Sequence, residues 1–268
     1  MLTMKAAVLG HPVSHSLSPT LHNAAYSALG LNHSYEAIDV QQIELESFVR
    51  SLDKEWMGLS LTMPLKEAPF NFVGLISPTA RLTKSINTLV LADEIYADNT
   101  DVYGIQAAVL ETVDREIQTV TIVGSGATAR SSVVAAFNLG AQSVRVISRN
   151  QVTTQECALI AHELGITFAS GLLHTTDWHS SDLVINTTPA GVADVLCDEI
   201  DEAQGLLLDV VYSPWPTRLA HTWQKLGAAT CSGHLMLLHQ ACQQVHAMTG
   251  EQAPIAAMRT ALENALNI

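Results

Sequence analysis

The sequence predicts an α/β protein of two lobes, and three observations carry that prediction. Short apolar strands alternate with amphipathic helices, a rhythm that specifies a mostly parallel sheet covered on both faces. The rhythm breaks at a hairpin and loop and restarts near residue 102. The 268 residues of the chain exceed one average domain, so two lobes are the expected arrangement.

Taken in order, Ala6-Ala7-Val8-Leu9 reads as the first strand, a helix follows near Leu17–Leu29, and "SYEAIDV" reads as the second strand. A helix near Ile43–Leu52 and the strand "WMGLSLTMP" come next, and "INTLVLADEIYADNTD" reads as a hairpin and loop. After the restart, "TVTIVGSGATARSSVVAAFNLGAQSVRVISRN" gives a strand, a glycine turn, a helix stopped by Gly140 and a second strand. Strands at "DLVINTT" and "LLLDVVY" follow, then helices from about Leu235 to the end.

Hydrophobic residues make up 48% and charged residues 15% of the chain, which supplies a buried core and argues against disorder. Lys plus Arg number 13 against 26 Asp plus Glu, a net charge of −13. The phosphate attraction that drives nucleic-acid binding is therefore missing, and an anionic ligand must be held by local groups. Apolar runs end well before the about eighteen residues of a membrane span. Met1-Leu2-Thr3-Met4-Lys5 leads into a strand without a signal-peptide pattern, so the expected location is the cytoplasm, with no membrane partner. Cys157, Cys197, Cys231 and Cys242 lack metal-ligand spacing and read as reduced core thiols. No metal is expected.

Gly124-Ser125-Gly126-Ala127-Thr128-Ala129 lies between strand and helix within a βαβ unit, the context of a dinucleotide fingerprint. The first glycine permits the sharp turn, and the second lets backbone approach a pyrophosphate. A small residue, Ala129, lets helix and strand pack closely, and the helix N-terminus offers free N–H groups to phosphate. At the end of the next strand, NAD-preferring folds place an acid for the ribose 2′-hydroxyl. This chain has Ser148-Arg149-Asn150 there. A guanidinium with neighbouring donors suits a 2′-phosphate, so NADP is favoured, with NAD the second choice.

Hydride transfer between a nicotinamide and an alcohol also moves a proton, so an acid/base group is needed at the reacting oxygen. "GLSLTMPLKE" puts Lys66 after a strand and a proline turn, and "DNTDVYG" puts Asp101 where the lobes should join. A further polar concentration, "GHPVSHSLSPTLHN" from Gly10 to Asn23, directly follows the first strand. Polar groups that close to a core need partners, in backbone or ligand, because an unpaired one costs about 1–3 kcal/mol.

Together "GHPVSHSLSPTLHN", "GLSLTMPLKE", "SINTLV", "DNTDVYG", "GSGATA", "NTTPAG", "DVVYSPWPT" and "GHLMLLHQA" resemble, in order and spacing, the shikimate dehydrogenase family, from about Gly10 to Ala241. The resemblance implies a substrate domain over residues 1–101, completed by C-terminal helices 234–268, and a Rossmann-like NADP-binding domain over 102–233. It implies that Ser16 and Ser18 hold the carboxylate of a small polyhydroxylated ring acid, with Tyr212 near that carboxylate. Lys66 and Asp101 are implied to be the acid/base pair. Thr62, Asn87 and Gln240 would bind ring hydroxyls or the carboxylate, Gly233 would approach the nicotinamide, and Gly124 to Ala129 with Ser148 and Arg149 would hold NADP.

Three positions depart from the family pattern. Ser60 stands where the family usually reads "GxNVT", so a shorter hydroxyl replaces an amide that contacts a ring hydroxyl. The turn reads "GSGATA" rather than "GAGGAA", keeping both glycines. "SRN" followed by Gln151 replaces the usual "NRT" with a further arginine. His15 and His22 are expected to cap or bridge backbone in the opening loop, His234 and His239 to pack on helix faces, and the tryptophans to fill core or lobe contacts. The implied reaction is reversible, NADP-dependent reduction of 3-dehydroshikimate to shikimate, by a monomer or homodimer. The alternatives are a quinate or quinate/shikimate dehydrogenase using NAD and, in another class, a non-catalytic ligand-sensing module on the same fold. The presence of both Lys66 and Asp101 argues for the enzyme, since a sensor needs no proton transfer.

Overall fold

A computed structural model describes residues 3–173 and 178–268. By contact density the chain divides into two compact units, residues 1–101 with 237–268, and residues 102–236.

The first unit is built on β1 (Lys5–Gly10), α1 (Ser18–Ala28), β2 (Ser34–Asp39), α2 (Leu45–Ser51), β3 (Trp56–Leu61), β4 (Leu75–Ile76), α3 (Pro78–Thr83), β5 (Thr88–Val90) and β6 (Tyr96–Asp98). Its strand order is β2-β1-β3-β5-β6-β4. β1 pairs parallel with β2 and β3, whereas β5 runs antiparallel to both β3 and β6. Side chains alternate across a strand, and β1 uses both faces. Ala6 and Val8 point into a core with Leu21, Ala25 and Tyr26 of α1, while Ala7 and Leu9 point into a second core with Leu45 and Val49 of α2. This two-sided burial explains the unbroken apolar run that marks the strand in the sequence.

The second unit contains α4 (Asp101–Thr112, of which Asp101 belongs to the first unit), β7 (Thr119–Val123), α5 (Ala127–Asn138), β8 (Ser143–Ser148), α6 (Gln155–Leu164), β9 (Thr167–Leu172), β10 (Leu183–Asn186), β11 (Leu206–Asp209), α7 (Arg218–Lys225) and β12 (Thr230–Ser232). Its sheet is parallel throughout in the order β12-β11-β10-β7-β8-β9. Counted within the unit this is 6-5-4-1-2-3, the doubly wound order whose reversal between first and fourth strands opens a ligand crevice at the strand C-termini. Trp178 and Trp223 are fully buried in its core, ring centres 5.9 Å apart. Finally α8 (Gly233–Thr249) and α9 (Ile255–Leu266) carry Leu238, Ala241, Val245, Met258 and Leu262 onto the α1 face of the first sheet. Fully burying each of the Leu, Val and Met side chains among them contributes about 1.5–3 kcal/mol, and the Ala241 methyl less.

Several sequence expectations are corrected. The helix expected near 43–52 opens as a 3-10 turn, Gln42–Glu44, because Gln41 and Glu44 form a reciprocal capping box ahead of α2. The strand expected through Pro64 ends at Leu61, and Lys66 lies in a 3-10 helix, Leu65–Asn71. Asp101, expected in a loop, is the first residue of α4, where a carboxylate complements the positive helix end.

Candidate active site

Lys66 and Asp101 stand 35 residues apart in sequence and meet because the hairpin β5–β6 lies beside β3. Lys66 Nζ donates to Asp101 Oδ2 at 2.6 Å, with the two side chains 16% and 6% exposed. The other carboxylate oxygen, Oδ1, accepts from Asn87 Nδ2 at 2.8 Å. The Asn87 carboxamide is itself fixed, since its Oδ1 accepts from Thr100 N at 2.8 Å and from Thr88 Oγ1 at 2.7 Å. Gln240 from α8 brings Oε1 to 3.4 Å from both Asn87 Nδ2 and Thr100 Oγ1. An ammonium with one of three protons engaged by a fully held carboxylate keeps two N–H donors for a ligand oxygen.

Ser60 lies on β3 beneath this group, and its hydroxyl is committed within the protein. It accepts from the Tyr35 hydroxyl at 2.6 Å and donates to Gln244 Oε1 at 2.8 Å. Ser16 Oγ accepts from Ser18 N at 3.3 Å at the start of α1. Thr62 is half-buried just past the end of β3, its N–H on Leu9 O at 2.9 Å. His22 is corrected: it sits inside α1 rather than in the loop, and it bridges side chains rather than backbone. Its Nε2 is 3.3 Å from Gln244 Oε1 and its ring stacks on Tyr35 at 3.9 Å. Burial pushes its pKa down to about 3, against a smaller upward pull from Gln244. His15 is exposed.

In the second unit Gly124 follows β7 with φ +110, and a Cβ there would lie 2.4 Å from Thr187 Oγ1. Only glycine fits that turn. Gly126 caps α5 without a side-chain bond, and a Cβ on it would meet nothing within 4 Å. The Ala127, Thr128 and Ala129 amides, in the first turn of α5, have no acceptor within the helix. Ser125 Oγ is 2.6 Å from Thr153 Oγ1, tying the turn to the segment after β8. Arg149 at the end of β8 is exposed, with no hydrogen bond or ion pair among the described residues. Ser148 is different. It is buried and its hydroxyl donates to Asn150 O at 2.8 Å, while Asn150 Oδ1 accepts from Val152 N at 3.0 Å. The side-chain donors left at that strand end are thus the Arg149 guanidinium and the exposed Asn150 Nδ2, since Asn150 is engaged only through its oxygens. Tyr212 is half-buried after β11, and Gly233 opens α8.

Sequence reading missed Tyr35, Thr88, Thr100 and Gln244. Gln244 had a signal, because it follows Gln240 by one helical turn and so shares its face.

A family profile described as the shikimate dehydrogenase substrate binding domain matches residues 8–89, and one described as the shikimate 5'-dehydrogenase C-terminal domain matches residues 233–263. The shikimate dehydrogenase (NADP(+)) of Leptospira interrogans is 35% identical over 259 residues, covering 91% of this chain and 88% of that one. The chain belongs to the shikimate dehydrogenase family. Among solved structures of the family, that of Mycobacterium tuberculosis shikimate dehydrogenase superposes with a TM-score of 0.90 at 37% identity, covering 98% of this chain and 99% of that one. The Thermus thermophilus enzyme, solved in complex with NADP(H) and shikimate, gives a TM-score of 0.87 at 28% identity, covering 98% and 99%.

Proposed function

We propose that this chain is an NADP-dependent shikimate dehydrogenase that interconverts 3-dehydroshikimate and shikimate. The observation that carries the reading is the part-buried Lys66–Asp101 pair at 2.6 Å, in a chain of this family. When bound, the nicotinamide supplies or accepts the hydride. The protein's task is the proton and the geometry. Lys66 is the group that gives a proton to the developing alkoxide when the ketone is reduced and takes it back when the alcohol is oxidised. Asp101 orients Lys66 and balances its charge, and Asn87 prevents the carboxylate from turning away. Ser16 and Ser18 hold the ring carboxylate, and Ser60, Thr62, Asn87 and Gln240 face the hydroxyls.

NADP fits the second unit on two structural grounds. The space above Gly126 is open at the end of α5, where first-turn amides meet a phosphate. The exposed Arg149 supplies a cation for a 2′-phosphate, and Ser148-Arg149-Asn150 offers no acid for a 2′-hydroxyl. We assign the substrate to the first unit and NADP to the second. The test follows reduced-nicotinamide absorbance with shikimate or quinate crossed against NADP or NAD. Turnover with shikimate and NADP above the other three pairs is expected; quinate with NAD in first place would replace this reading by the quinate dehydrogenase one.

A further inference from the structure

The Gln244 carboxamide is 1% exposed, and all its hydrogen-bonding positions are used inside the protein. Nε2 donates to Asn87 O at 3.1 Å and to Thr88 Oγ1 at 3.0 Å. Oε1 accepts from Ser60 Oγ at 2.8 Å and faces His22 Nε2 at 3.3 Å. A carboxamide oxygen cannot donate, so His22 carries its proton on Nε2. Its Nδ1 is left to accept from the Tyr26 hydroxyl at 3.4 Å. No position on Gln244 remains for a ligand.

We propose that Gln244 is a positioning residue of the substrate site, which holds Ser60 as a pure hydrogen-bond acceptor and sets Asn87, so that residues 60 and 244 determine substrate recognition as one unit. The proposal rests on the assignment of the substrate to the first unit. The serine has one proton, and it points to Gln244 rather than into the site. Tyr35 fills one of its lone pairs, and one lone pair remains. A ring hydroxyl that reaches Ser60 must therefore donate to it. The second effect runs through Thr88. Gln244 Nε2 fills the acceptor side of Thr88 Oγ1, whose own proton goes to Asn87 Oδ1 at 2.7 Å. The Asn87 main-chain oxygen also takes Leu61 N at 2.8 Å, so with Gln244 it is saturated. Asn87 thus presents Nδ2 to Asp101 in one orientation, and Gln244 acts on the Lys66–Asp101 pair without touching it.

The test is a four-protein cycle: the unaltered chain, Gln244→Ala, Ser60→Asn, and the two changes combined. Gln244→Ala strands the Ser60 proton and frees Thr88 and Asn87. Ser60→Asn drives a second carboxamide into the space of the first. Each single change is expected to raise KM for shikimate about tenfold or more, leaving KM for NADP within about twofold. In the combined variant the carboxamide introduced at position 60 enters the space that Gln244 vacates, and KM for shikimate is expected to return to within about threefold of the unaltered chain. Effects that simply multiply would overturn the proposal, because independent sites add in free energy. So would an equal rise in KM for NADP. Melting temperature supplies a second cycle that needs no substrate, and additive shifts there count equally against the coupling. If the unaltered chain fails to turn over shikimate, the functional assignment falls and this second cycle still decides the coupling. Should Gln244→Ala fail to fold, recovery of folded protein in the combined variant supports the pairing, and its absence counts against it.

Discussion

Lys66 is a charged residue held 16% exposed beside a carboxylate, and under the proposed function the value of that placement lies in the moving proton. A group that acts mainly in the transition state is expected to show its loss in kcat, typically by about 10²–10⁴-fold. Lys66→Ala should therefore lower kcat for shikimate oxidation far more than it raises KM. Near-normal kcat in steady-state assays would remove Lys66 from the proton path. At His22 the consequence is pH dependence. Its ordinary pKa of 6.5 falls to about 3 in the folded chain through burial, so between those values the unfolded chain binds a proton that the folded chain refuses. Stability from this group is complete above about pH 6.5 and is lost as pH falls, by up to about 1.4 kcal/mol per pH unit. The phenols of Tyr26 and Tyr35 beside it are pushed upward by burial and stay neutral throughout. Urea unfolding from pH 7 to 4.5 should show a shallower loss for His22→Gln than for the unaltered chain; parallel lines would mean that His22 does not titrate this way.

At the scale of elements, the turn between β7 and α5 separates two kinds of glycine. Gly124 is demanded by the fold, because its φ is +110 and a Cβ would strike Thr187 Oγ1 at 2.4 Å. Gly126 is not, since its φ of −83 suits any residue and a Cβ there meets open space. Gly126→Ala should leave the melting temperature within about two degrees yet weaken NADP binding about tenfold or more, the methyl occupying the approach of the pyrophosphate to the α5 amides. Unchanged NADP affinity by titration calorimetry would separate this turn from cofactor binding. The same turn was legible in the sequence because glycine spacing, strand and helix are all local. So were β1, α1 and β3, whose apolar patterns exceed a few residues. β4, two residues long, and α3, six, have no period to read. The 3-10 turn ahead of α2 rests on the Gln41–Glu44 capping box, and the helical start at Asp101 on its N–H donating to Asn99 Oδ1 at 3.1 Å, side-chain bonds that pattern alone does not disclose. Partnerships across the fold were the least legible. Ser60 meets Gln244 across 184 residues of sequence, and Tyr35 gave no sign beyond an alternating strand.

At the scale of the whole molecule the chain is two compact units with separate cores, and the residues of the proposed sites divide between them. Ser16, Ser18, Ser60, Thr62, Lys66, Asn87, Asp101 and Gln240 fall in the first, and the glycine turn with Arg149 in the second. A net charge of −13 gives no general attraction for two anionic ligands, so each must be held by its own unit's donors. Local opening is suppressed where a ligand binds, by an amount set by concentration over Kd. Each ligand alone should therefore slow amide exchange in its own unit. Shikimate alone is expected to protect peptides covering Ser16–Ser18, β3 and α8, and NADP alone those covering the glycine turn and the end of β8. Hydrogen–deuterium exchange at saturating concentrations of each ligand in turn measures this directly. Protection by shikimate confined to residues 102–236 would reverse the assignment of ligands to units, and with it the role given to the Lys66–Asp101 pair, because that pair would then lie in a unit the substrate leaves unprotected.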